Sequence, residues 1–199
     1  MLKEKDKLYR IILDRRTIRL FKKGKLTKST IKKVINAARL APSSANLQFI
    51  EYLVVDEPSL KEEIFSCLKW GGYVFPRRVP LPGQTPSLYI VLLINRNKSE
   101  KTDLRDVGAA AENILLALLC FGFGSCWIAN INRGKLRKIL GIPGNFIIDS
   151  VIACGFAAEH PVLEEKSDTV KYWLDNNNRL HVPKRPLKEI LHYNSFLQG

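Results

Sequence analysis

The segment from Ser87 to Ile94 constrains this chain most, because it is a continuous apolar run rich in β-branched residues. Such a run fits a strand buried in the middle of a sheet. A second buried strand is predicted from Ser150 to Phe156, and a further strand from Ile50 to Val55. Helical patterns alternate with these runs. Leu8, Ile11 and Ile12 before the Arg15 turn follow helical spacing, as do Ile31, Val34, Ile35 and Ala38, with Thr27 or Ser29 as N-cap and Pro42 as the stop. Glu57-Pro58-Ser59 is a turn that opens another helix through Leu68. The strongest helical pattern is Val107, Ala110, Ala111, Ile114, Leu115, Leu118 and Leu119, whose alanines permit close packing. Arg137 to Pro143 reads as a helix end stopped by Gly141 and Pro143.

This order does not describe a doubly wound dinucleotide fold. Gly122-Phe123-Gly124 follows a helix and precedes a strand, the reverse of the context a pyrophosphate loop requires, so it reads as a helix C-cap and tight turn. A length of 199 residues with 46% hydrophobic content suffices for one domain with its own core, without metal or disulfide staples. The prolines and glycines between Gly71 and Pro86 make that stretch a loop, of the kind that binds ligands or contacts partners as readily as it simply moves.

Several function classes recede on composition. The charged start from Met1 to Lys7 does not resemble a secretory leader, and the apolar stretch from Val107 to Ile131 is broken by Glu112, Asn113 and glycines, so no membrane span is expected and the location expected is cytoplasmic. Cys67, Cys120, Cys126 and Cys154 are scattered without a Cys-x-x-Cys pair or a nearby His; no metal site is expected, and the thiols read as small core residues. A net charge of +13 makes a basic nucleic-acid-binding protein the main rival to an enzyme. However, clusters such as Lys22-Lys23-Gly24-Lys25 and Pro76-Arg77-Arg78 lack interleaved aromatic residues for base stacking, so no nucleic-acid partner is expected.

The first fifty residues point to a cofactor. Arg15, Arg16, Thr17 and Arg19 end one amphipathic segment, and Ala41-Pro42-Ser43-Ser44-Ala45-Asn46-Leu47-Gln48 ends the next. Arginines and a hydroxyl offer charge-assisted hydrogen bonds to a phosphate, while the second string offers small side chains and amides to a polar heterocycle. A phosphorylated, planar cofactor suits both.

Four pieces of the chain together resemble the flavin-dependent nitroreductase family: Arg15 to Phe21, Ala37 to Gln48, Gly122 to Ile128, and Lys184 to His192. They occur in the family's order and span the chain from about Leu8 to Phe196. The resemblance implies an α+β fold, a three-layer α/β/α sandwich around a mostly antiparallel sheet, in a single domain over residues 1–199 with a loop at 71–86 and a C-terminal arm at 180–199. It further implies an interlocked homodimer sharing two sites for FMN, with NADH or NADPH as electron donor.

Site residues follow by matching motifs. Arg15 corresponds to the family's phosphate or ribityl contact, and Thr17 stands where the family usually has Ser, with a hydroxyl that makes the same bond. Arg16 and Arg19 match basic or variable positions. Lys184 and Arg185 resemble a C-terminal basic pair that returns to the phosphate, one of the two reaching it. Pro42, Ser43, Ser44 and Asn46 match a loop lining the isoalloxazine from the other subunit, with Gln48 beside them. Family members commonly continue that loop with Pro and an aromatic, whereas here Phe49 follows Gln48 directly. Cys126, Trp127, Ile128 and Ala129 match the stretch passing beside the ring, where backbone amides serve it.

Because the flavin carries the chemistry, no catalytic side chain is expected. His160, His181 and His192 show no relay pattern and read as surface or tail residues. The reaction implied is ping-pong reduction of nitroaromatics, quinones or similar acceptors. Relatives that dehalogenate, dehydrogenate peptides or break flavin itself form the alternative within the family.

Overall fold

A computed structural model describes residues 2–166 and 168–196 of the chain. The elements run α1 (Leu2–Asp14), β1 (Phe21–Lys22), α2 (Lys28–Arg39), β2 (Ile50–Val55), α3 (Pro58–Phe65), β3 (Leu88–Asn95), α4 (Leu104–Cys120), β4 (Gly124–Ile128), α5 (Arg133–Leu140), β5 (Phe146–Ala157), β6 (Val162–Glu165), β7 (Trp173–Leu174) and β8 (Leu180–Lys184). The apolar run forms β3, every residue of which is buried. It pairs antiparallel with β2 on one side and β5 on the other. The far edge of β5 is divided between β4 and β1, also antiparallel.

Alternation along β3 builds two cores at once. Tyr89, Val91 and Leu93 face one cluster, with Ile64 of α3 and Leu136 of α5; Leu88, Ile90, Leu92 and Ile94 face the other, with Val34 and Ala38 of α2 and Val107, Ala111, Ile114 and Leu118 of α4. The sheet is therefore the middle of three layers, and each such Leu or Ile contributes about 1.5–3 kcal/mol by leaving water. Thr27 caps α2 by accepting the Thr30 N–H, Asp103 caps α4, and Gly122 follows α4 with φ +81° as a left-handed exit.

Two boundaries differ from expectation by three or four residues. α3 stops at Phe65, because the chain turns there and Leu68 bridges Ile131 instead of continuing the helix. β5 starts at Phe146, four residues before Ser150. Its first residues, Phe146-Ile147-Ile148, are apolar but are separated from the later run by Asp149, which a register shift opposite Leu92 and Leu93 accommodates. Of the four free cysteines Cys120 is exposed, at the last turn of α4, while Cys67, Cys126 and Cys154 are core residues as expected.

A second sheet, ordered β6-β8-β7, follows the last strand expected from the sequence. β6 and β8 run parallel, and Pro183 with charged residues keeps these short strands from reading as an apolar pattern. This sheet changes the reading of one histidine. His181 is a half-buried strand residue, with Nδ1 2.6 Å from Glu164 Oε1, Nε2 3.3 Å from Asp175 Oδ2 and its ring stacked on Trp173. Hydrogen bonding to Glu164, then to Asp175, raises its pKa above the usual imidazole value. A folded-state pKa above the unfolded one adds stability below the unfolded value that is lost as pH rises through the folded one. A histidine NMR titration is thus expected to give His181 a midpoint above 6.5, with amide protection of β8 falling on the alkaline side of it.

Candidate active site

β4 lies at an edge of the larger sheet, and that edge is mostly open. β5 takes one side of β4; on the other, Thr17 forms a single parallel bridge to Ser125, whose carbonyl accepts the Ile18 N–H at 2.8 Å. Because backbone groups alternate in direction along a strand, the Trp127 N–H and C=O point to the same outer edge as those of Ser125. Unpaired groups on a strand edge are ready donors and acceptors. Beside them opens a cleft of about 590 Å³, within the range of small-molecule sites.

Cys126, Trp127, Ile128 and Ala129 line this cleft together with Arg19. Trp127 is held by its indole N–H, which donates to Ser150 Oγ at 2.7 Å. Cys126 turns into the core, and burial pushes its thiol up to about 11, which removes it as a nucleophile at neutral pH. Arg15 and Arg16 line a neighbouring pocket of about 280 Å³ with Ile18, Gly122, Ser125 and His160. Arg15 pairs there with Glu112 of α4 at 3.0 Å, and the Arg16 pKa is lowered, first by burial and then by Arg15. The two arginines share this pocket with Asp14 and Glu159. Thr17 supplies the bridge between these pockets.

The Pro42–Gln48 string lies elsewhere. Ser43 Oγ and the Ser44 N–H both donate to Asp106 Oδ2, at 2.9 and 2.8 Å, and the Gln48 N–H donates to Ser43 Oγ at 3.1 Å. These bonds hold a loop in which Ala45, Asn46 and Gln48 all have left-handed φ, near 50°. Pro42, Ser44, Asn46 and Gln48 are exposed. Asp106 is in the first turn of α4, whereas the arginine pocket lies by its last turns. From Asp106 to Leu115 and Leu119, the α4 residues that line the pocket, the helix rises about 14–20 Å at 1.5 Å per residue, so the loop and the arginine pocket are separate places on one chain. Lys184 and Arg185 are exposed at the end of β8, where Arg185 meets Glu189 at 3.4 Å.

Gly71, Gly72 and Phe75, which the sequence marked only as part of the 71–86 loop, complete the cleft with Lys69, Trp70, Asn130 and Tyr172, which it did not mark. A bond from the Lys69 N–H to the Asn130 carbonyl lays this segment beside the end of β4. At Gly72, with φ +46°, an added Cβ would lie 2.0 Å from Tyr172 Oη, so the wall here has to be bare backbone. Adjacent glycines were the available signal.

A buried ion pair organises the whole edge. Arg78 Nε lies 3.0 Å from Glu159 Oε2, both side chains being almost wholly buried. Glu159 Oε1 accepts the N–H groups of Arg19 and Leu20, and Arg78 donates to the Asn178 carbonyl. One carboxylate thereby joins the arginine segment, the 71–86 loop and the second sheet.

A three-layer antiparallel sandwich whose open strand edge meets a slot and a crowded arginine pocket defines an α+β fold suited to a flat, phosphorylated cofactor. Residues 12–156 match the profile of the nitroreductase family, and the chain belongs to that family. It is 29% identical over 185 residues to a protein of Archaeoglobus fulgidus assigned as an NADH dehydrogenase/NAD(P)H nitroreductase, covering 90% of this chain and 99% of that one. Among solved structures it resembles an FMN-dependent nitroreductase of Clostridium difficile (TM-score 0.67, 25% identity, 94% and 98% of the two chains covered). The fold also matches a protein of Desulfovibrio desulfuricans, assigned as a nitroreductase and solved with FMN (TM-score 0.70, 23% identity, 96% and 98% covered). Among the described residues no helix is long and apolar enough to cross a membrane, and no cluster of His, Cys, Asp and Glu is suited to a metal ion.

Proposed function

We propose that the chain is an FMN-dependent oxidoreductase that passes electrons from NADH or NADPH to nitroaromatics, quinones or similar acceptors by a ping-pong mechanism. The observation that carries this reading is the open edge at Trp127. Its N–H and C=O face a slot of about 590 Å³ with Arg19 beside it, which fits a planar ring bearing alternating donors and acceptors. Bound FMN would supply storage for two electrons between the two substrates. The chain's own residues would bind and orient it: Arg15, Arg16 and Thr17 would hold the phosphate with Lys184 or Arg185, Arg19 and residues 126–129 would hold the ring, and Glu159 fixes the Arg19 backbone. For a nitro acceptor the balance is one NAD(P)H and one proton consumed, with nitroso product, NAD(P)⁺ and water formed.

The site is completed by a second copy, whose Pro42–Gln48 loop covers the ring. Two features support the homodimer: the loop is held at the first turn of α4 whereas the arginine pocket lies by Leu115 and Leu119, and Leu8, Tyr9, Ile12 and Leu13 of α1 are exposed together with Leu187, Ile190, Tyr193 and Phe196 near the chain's end. Apolar surface on this scale marks an interface.

Anaerobic titration tests the chemistry. Protein loaded with FMN and desalted is expected to stay yellow, to bleach with NADH or NADPH, and to regain colour when a nitroaromatic or quinone is added. Flavin lost on desalting, or colour that neither nicotinamide bleaches, would overturn the reading.

A further inference from the structure

A second cavity, of about 450 Å³, opens between α3 and the 71–86 loop and shares no lining residue with the cleft beside β4. Its volume falls within the range of small-molecule sites. Pro58 and Phe65 of α3 line one side, Pro80, Pro82 and Pro86 of the loop line the other, and Tyr89 of β3 lies at the bottom. Tyr89 belongs to the face of β3 that meets α3 and α5, whereas Asp106 holds the Pro42–Gln48 loop from α4 on the opposite face. The cavity is therefore remote from the loop assigned above to the shared flavin site.

The lining selects by chemistry. Proline has no N–H to donate, so three prolines on one side and Pro58 with Phe65 on the other present apolar surface suited to a flat ring. Lys61 and Glu62 are the charged lining residues, one of each sign, and Lys61 Nζ is already engaged, donating to the Ser87 carbonyl at 3.1 Å. An ion entering here would meet no net opposite charge.

Tyr89 supplies the polar contact. The residue is 1% exposed and reaches the cavity, yet among the described residues its hydroxyl forms no hydrogen bond. Burial raises its pKa above the ordinary phenol value, so it remains a neutral O–H donor. Enclosed tyrosine hydroxyls ordinarily have a partner, and an acceptor oxygen brought into the cavity would satisfy this one.

We propose that this cavity is a second small-molecule site, separate from the cleft beside β4, that takes an uncharged aromatic ring bearing a carbonyl oxygen. The ring lies between Phe65 and the loop prolines, and the carbonyl accepts from the Tyr89 O–H. The proline-rich half of the 71–86 loop thereby has a binding role that goes beyond the flavin chemistry.

Acetophenone and ethylbenzene, alike in size and different in the carbonyl oxygen, serve as probes. Each is titrated into the protein with and without FMN and followed by amide NMR shifts. The shifts are expected to cluster on α3 and residues 80–89, with the same affinity whether or not FMN is present. Tyr89→Phe, which keeps the ring and removes the donor, is expected to weaken acetophenone about fivefold and to leave ethylbenzene within about twofold. Thr85→Trp places an indole at the exposed rim and is expected to remove binding of both probes, with flavin retention unchanged. Shifts confined to the β4 cleft, binding lost on adding FMN, an equal effect of Tyr89→Phe on both probes, or binding that survives Thr85→Trp would each overturn the inference.

Discussion

Replacing Glu159 with alanine is expected to cost about 3–5 kcal/mol of stability, because it strands Arg78 as a buried, unpaired cation. For a chain of this size that corresponds to a melting temperature lower by about 6–20 °C. The change also releases the N–H groups of Arg19 and Leu20, which Glu159 Oε1 holds at 2.5 and 3.2 Å, so FMN affinity is expected to fall with stability. Thermal melts followed by circular dichroism check the first effect and flavin titration the second. The double variant with Arg78→Met removes both charges and is expected to regain part of the loss, since an apolar replacement of a buried pair is often neutral. A shift below about 2 °C for the single variant would show that the pair does not organise this edge.

Asp106→Ala is the second large effect. One carboxylate oxygen accepts from Ser43 Oγ and the Ser44 N–H, and hydrogen bonds to a charged group contribute about 1.5–3 kcal/mol each. Without them only bonds within the loop, such as Gln48 N–H to Ser43 Oγ, offset the left-handed backbone at Ala45, Asn46 and Gln48. A stability loss of about 2–4 kcal/mol is expected, with an FMN dissociation constant raised at least about tenfold. The affinity change is the informative part. Asp106 stands about 14–20 Å along α4 from Leu115 and Leu119, which line the arginine pocket, so an effect on flavin beyond the stability loss is expected to act through the loop of a second copy. Unchanged affinity in a folded variant would count against a shared site.

Much of the fold was legible because its signals are local. β3 announces itself by an unbroken apolar run, α4 by period and alanines, and the exit from α4 by a glycine that takes positive φ. The second sheet was not legible, since β6, β7 and β8 are short and carry charge and proline where an apolar pattern would have to be. His181 shows the same limit. Its partners Glu164 and Asp175 come from other elements of that sheet and its flanking turn, and no sequence spacing relates them.

The candidate site divides in the same way. The arginine segment and the β4 stretch stand out as strings of residues, and the fold places Arg19 with Cys126–Ala129 in one cleft. Lys69, Trp70 and Tyr172 join that cleft only through packing: a backbone bond to Asn130, a ring stack and a contact from beyond β6. Asp106 and Glu159 are single carboxylates whose roles depend on partners 62 to 140 positions away in the chain.

A structure of the protein crystallised with FMN tests the central claim most directly. The expected result is a homodimer in which the flavin ring lies along the outer edge of β4 near Trp127, its phosphate meets Arg15 and Thr17 of the same chain, and the partner's Pro42–Gln48 loop covers it. A flavin bound wholly within one chain, or seated away from the β4 edge, would contradict the account.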